Sequence, residues 1–111
     1  MRKKLHITNL EKIVGYKTDS NWTIEKVSVG SYGYYFHLQN WSSKSWLTIE
    51  MSNEIDTNSN HINIRALNEY REIVWQSHML PKMVKTIDNL ISVFDIAINH
   101  YLLHKKGYYQ S

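Results

Sequence analysis

Apolar and polar residues follow two rhythms along this chain, and the rhythm changes more than once. Thr8-Asn9-Leu10-Glu11 reads as a capping box, a threonine N-cap with a glutamate three residues on. Leu10, Ile13 and Val14 then share one helical face and Gly15 stops it, which predicts a short helix near 9–14. From Trp22 the period falls to two. Trp22 and Ile24 alternate with Thr23 and Glu25, and Val27 and Val29 carry the alternation on in the opposite phase. Strand 22–29 is therefore expected to hold a bulge near Glu25-Lys26. Gly30-Ser31-Tyr32-Gly33 supplies a turn into a strand at 34–39, and the polar connection 40–44 leads to a third at 45–51. Residues 52–60 read as a polar loop apart from Ile55. A fourth strand spans 61–65, with Ile62 and Ile64 pointing the same way.

After Arg65 the spacing becomes helical. Leu67, Tyr70, Ile73 and Val74 share a face opposite Glu69, Arg71, Glu72 and Gln76, which predicts a helix over 66–78. Pro81 suits the first turn of a final helix, 82–105. There Met83, Ile87, Leu90, Phe94, Ala97 and Tyr101 recur at four-three spacing, widened by Val84, Ile91 and Ile98. Gly107 falls at a C-cap position, and Lys105 and Lys106 complement the negative end of the helix dipole. The expected architecture is one α+β domain over residues 1–111. An antiparallel sheet of about four strands (22–29, 34–39, 45–51, 61–65) packs on the long C-terminal helix, with helices near 9–14 and 66–78.

Alternation divides the strand residues between two faces. Phe36, Leu38, Leu47, Ile49, Met51, Ile62 and Ile64 form the inner one, covered by the C-terminal helix and by 66–78. Tyr35, His37, Trp46, Thr48, Asn63 and Arg65 are then forced outward, with Trp41 and Lys44 in the adjoining loop extending that face. An aromatic, weakly basic sheet face suits a protein partner, since Trp, Tyr and Arg dominate binding hot spots. It also suits stacked nucleic-acid bases, or a covering segment of the chain itself. The C-terminal helix adds Val93, Ile96 and Leu103 away from its main stripe, which calls for cover from 66–78 or from a second copy in a two-fold dimer.

Composition narrows the picture. At 111 residues, 42% apolar and 21% charged, the chain is globular in type and the size of one domain. With no cysteine it has no disulfide, no thiolate nucleophile and no cysteine-bound zinc. The N-terminus starts like a signal peptide, but Thr8, Asn9, Glu11 and Lys12 interrupt the apolar region, so a cytoplasmic protein is expected. The tripeptides Asn21-Trp22-Thr23 and Asn40-Trp41-Ser42 carry no meaning without export. No apolar run is long enough for a membrane span. The net charge of +3 gathers near the ends, at Arg2, Lys3, Lys4, Lys105 and Lys106. That pattern suits two solvated termini or a patch for an anionic partner.

Candidate chemistry is thin. His100 and His104 stand four apart and could share a metal from one helical face, the basis for an alternative reading as a metal-dependent enzyme. No acidic residue sits at a ligand spacing in that turn, because Asp95 lies on another side of the helix. Glu54 and Asp56 occupy the polar loop without the oxygen ligands and glycine of a calcium site. No nucleophile elbow, phosphate loop or cofactor motif is present. Small size and richness in Asn, Ile, Lys and Tyr match small proteins of phages and mobile elements from AT-rich bacteria, a likeness of composition and not of motif. Such proteins often act as stoichiometric inhibitors, anti-CRISPR proteins among them. The expectation is a non-enzymatic inhibitor or regulator of another protein, with Trp41, Trp46, Tyr35, His37, Lys44 and Arg65 as contacts. The alternative is a nucleic-acid-binding module using the same face.

Overall fold

The computed structural model describes residues 3–4, 10–30, 33–52, 54–55 and 61–105, with backbone only at 3, 4, 10, 11, 54 and 55. Two short strands, β1 (Lys3–Lys4) and β5 (Glu54–Ile55), pair antiparallel with each other. The main sheet holds β2 (Thr23–Val29), β3 (Gly33–Asn40), β4 (Ser45–Ser52), β6 (Ile62–Leu67) and β7 (Ile73–Met79). They lie side by side in that order, all antiparallel. One helix, α1 (Ile87–Lys105), crosses one face. No described helix is long and apolar enough to cross a membrane.

The period-two pattern fixes the pairing. Val27, Phe36, Ile49, Ala66 and Trp75 align as one row across all five strands, and Tyr34, Met51 and Ile64 align in the next. A slip of one residue on any strand would turn its apolar set out to water, so burial specifies the register. The helix contributes Leu90, Val93, Phe94, Ala97, Ile98 and Tyr101 to the same core. Phe94 meets Phe36 at 4.9 Å between ring centroids, and Tyr101 meets Trp22 edge-on at 5.4 Å. Each such buried aromatic removes enough apolar surface from water to contribute on the order of 2–3 kcal/mol. The seven residues expected on the inner face are all buried, and the bulge expected near Glu25-Lys26 appears as a register shift between Ile24 and Lys26.

The helix expected over 66–78 is instead the end of β6, a turn and the strand β7. Asn68 explains the change: its Oδ1 accepts the backbone N–H of both Tyr70 and Glu72 at 2.9 Å, and its Nδ2 donates to Glu72. Arg71 takes a left-handed backbone, φ 63°, which no continuing helix allows. Tyr70, placed on the apolar face of that expected helix, is 81% exposed at the hairpin tip. The covering role assigned to 66–78 therefore falls to α1, with Ile13 and Val84 from the two 3-10 segments also buried in the core.

Two other helices are shorter than expected. Residues 9–14 give one 3-10 turn, Leu10–Ile13, and Gly15 leaves it at φ 94° to donate its N–H to Ile24 O. Thr8 of the expected capping box lies outside the described residues. Pro81 opens a separate 3-10 turn, Pro81–Met83, and the α-helix starts only at Ile87. Thr86 sets that start by accepting the Asn89 N–H on its Oγ1. Gly107 and Lys106 also lie outside the described residues.

Candidate functional site

With α1 on one face of the sheet, the opposite face stays uncovered among the described residues. Its central row reads Ser28, Tyr35, Glu50, Arg65 and Gln76 across the five strands. The next row reads Lys26, His37, Thr48, Leu67 and Ile73, and Gln39 with Trp46 begins a third. Alternation places these side chains outward because their neighbours Tyr34, Phe36, Leu38, Leu47, Ile49 and Met51 are in the core. Trp46 is 59% exposed, an uncommon setting for the largest side chain.

Polar contacts order this face. Arg65 Nε donates to Glu50 Oε1 at 2.6 Å between adjacent strands. His37 Nδ1 and Thr48 Oγ1 lie 3.4 Å apart, and the Asn63 backbone N–H donates to Ser52 Oγ at 3.1 Å. Burial, then the charge of Lys26, holds the His37 imidazole below its usual range, which favours the neutral ring. Two grooves flank the Tyr35–Glu50 pair. One, of about 350 Å³, is lined by Tyr35, Glu50, Asn63, Arg65, Gln76 and His78 among others. The second, of about 390 Å³, is lined by Tyr35, His37, Trp46, Thr48, Leu67 and Arg71 among others.

The structure thus gathers Tyr35, His37, Trp46 and Arg65 on one surface, as the alternation predicts. Trp41 and Lys44 sit in the β3–β4 turn next to the Gln39–Trp46 pair, exposed, and neither lines the two grooves. Lys105 Nζ, from the end of α1, donates to Ser45 Oγ at the start of β4 at 3.3 Å. Gln76 and His78 join the site although the sequence pattern hides them. The bulge that leaves Val74 unpaired breaks the alternation of β7, and only the run from Trp75 to Met79 keeps the period. The face is not basic: Lys26 and Arg65 are balanced by Glu25 and Glu50 on its described strands.

The helix sites resolve differently. His100 stacks on Trp75, centroids 6.0 Å apart and 25° between planes, while His104 lines a groove with Glu69, Glu72 and Tyr101. No three His, Cys, Asp or Glu side chains among the described residues converge as metal ligands. Asp56 lies outside the described residues, and Glu54 is described only by its backbone pairing with Lys4. Tyr101 Oη donates to the Glu69 carboxylate at 3.0 and 3.1 Å; burial, with that carboxylate beside it, pushes the phenol above its usual range. Of the proposed dimer residues, Val93 is buried in the core, Leu103 is half-buried and Ile96 is exposed. Compared with protein-family models, with curated proteins and with solved structures, the chain finds no match.

Proposed function

We propose that this chain is a non-enzymatic binding protein that recognises another protein through the uncovered sheet face. The reading rests on one observation: Tyr35, His37, Trp46 and Arg65 stand together on the face opposite the helix, with Trp46 largely in solvent. Such anchors, set among hydrogen-bonding side chains, are the residue types that dominate protein hot spots. The balance of Lys26 and Arg65 against Glu25 and Glu50 favours a protein over a nucleic acid, because phosphate binding draws most of its affinity from excess positive charge. A stoichiometric inhibitor or regulator needs only such a surface, and the small size and composition of the chain support that role.

Capture from host extract before and after nuclease treatment, using wild type and Trp46→Ala, tests the reading. A protein partner is expected with wild type in both conditions and is lost with the variant. Against the purified partner, Trp46→Ala is expected to cost more than about 2 kcal/mol of affinity by calorimetry while the melting temperature stays unchanged. Equal affinity in a folded variant removes this face. Capture abolished by nuclease, with affinity falling steeply as salt rises, assigns the face to nucleic acid.

A further inference from the structure

The open face carries one charge that the fold does not use. The groove of about 390 Å³ beside Trp46 has three formally charged residues in its lining, Glu50, Glu69 and Arg71. The Glu50 carboxylate accepts from Arg65 Nε of the neighbouring strand at 2.6 Å. Glu69, in the β6–β7 turn, directs both carboxylate oxygens at the Tyr101 hydroxyl of α1, the helix that covers the opposite face. Arg71 commits only its backbone N–H, to Asn68 O at 3.0 Å. Its guanidinium makes no hydrogen bond or ion pair among the described residues. A neighbouring depression that also includes Trp46 holds Glu25 and Lys26 together, with no charge left over.

The backbone fixes where that guanidinium stands. Arg71 has a left-handed φ of 63°, a conformation that glycine or asparagine adopts with less strain. Side chains held in such conformations gather at ligand clamps. The turn follows directly on the last β4–β6 pair, Thr48 with Leu67, so it stands beside Leu47 and Trp46 at the same end of the sheet. The groove therefore offers a fan of uncommitted N–H donors next to the exposed ring of Trp46 and the side chain of Leu67.

We propose that Arg71 is the specificity-determining residue of this face, taking an Asp or Glu side chain of the partner protein while an adjoining apolar side chain of that partner packs on Trp46. The proposal rests on the binding reading of the open face and names the chemistry of its partner. Charge selects the occupant. The planar fork of a guanidinium matches a carboxylate in paired hydrogen bonds. A neutral apolar group in the same place would cover the Arg71 donors without an acceptor, which costs free energy, and a basic one would meet like charge. The two carboxylates of the groove do not compete for Arg71, because Arg65 and Tyr101 already hold them.

A display library of random peptides, panned on the full chain and counter-selected on Trp46→Ala, tests the proposal. Peptides that bind the wild type and not Trp46→Ala are expected to share an Asp or Glu beside an apolar residue. Arg71→Asn, which suits the left-handed turn and removes the charge, is expected to weaken such a peptide at least about fivefold by calorimetry, with the melting temperature not lowered. Replacing the peptide carboxylate by its amide is expected to cost the same, and the two changes together no more than either alone. The amide peptide decides by itself if Arg71→Asn does not fold. Trp46-dependent peptides that lack a carboxylate, or lose nothing on its replacement, overturn the proposal and leave the face as a binding site. Arg71-dependent binding of single-stranded oligonucleotides alone overturns it as well. So does a library without binders, in which case capture from host extract decides the binding reading separately.

Discussion

At the scale of single residues, His37 shows how the open face is tuned. It sits on a central strand between Lys26 and Thr48, partly buried, and burial followed by the lysine charge lowers its proton affinity below the ordinary value of 6.5. The unfolded chain, where the ring keeps its ordinary affinity, therefore takes up a proton more readily than the native protein. The stability contributed by neutral His37 is complete above the unfolded value and is lost as pH falls through the lowered native one. His37→Gln is expected to lessen the fall in melting temperature between about pH 7 and pH 5. Parallel melting curves for the two proteins across that window would show that this ring carries no linkage.

At the scale of elements, the β6–β7 hairpin depends on one side chain. Asn68 satisfies two backbone donors and the Glu72 carboxylate at once, so the connection is held by hydrogen bonds and not by turn glycines. Asn68→Ala is expected to cost about 1–2 kcal/mol in urea unfolding, and Asn68→Asp combined with Glu72→Gln less, because the pair keeps the acceptor oxygen without setting two carboxylates together. A double variant as unstable as the alanine one would shift the importance to the Nδ2 donor.

The same hairpin marks where pattern reading failed. Strands β2, β3, β4 and β6 were legible because each alternates cleanly against a single buried face, and even the β2 bulge announced itself as a phase flip. In β7 the unpaired Val74 sets Val74 and Trp75 on the core side in succession. Leu67, Tyr70, Ile73 and Val74 then imitate a helical stripe, although a turn separates the first from the last two. Missing β7 hid Gln76 and His78 from the site as well. Tyr35, His37, Trp46 and Arg65 were legible for the opposite reason: their neighbours are unmistakably core residues. Thr86, with Asn89 three residues on, was the overlooked signal for the true start of α1.

At the scale of the whole molecule, the main sheet is a sequential meander in which each strand pairs with the next one it contains. Such a sheet can assemble hairpin by hairpin at little loop-closure cost. The helix is the exception, since it must return across strands made much earlier in the chain. Its Asp95 carboxylate accepts the backbone N–H groups of Asp19 and Ser20 at 3.0 and 3.1 Å, over sequence separations of 76 and 75 residues. Their long sequence separation makes them expected late contacts, a latch closing after the hairpins have zipped. Asp95→Ala should then leave the refolding rate near that of wild type and speed unfolding about fivefold, for a loss on the order of 1 kcal/mol. Stopped-flow refolding slowed by the same factor would mean the latch closes first. In kinetic terms, this half-buried carboxylate is expected to lengthen the life of the native state about fivefold without changing how quickly the hairpins let it be reached.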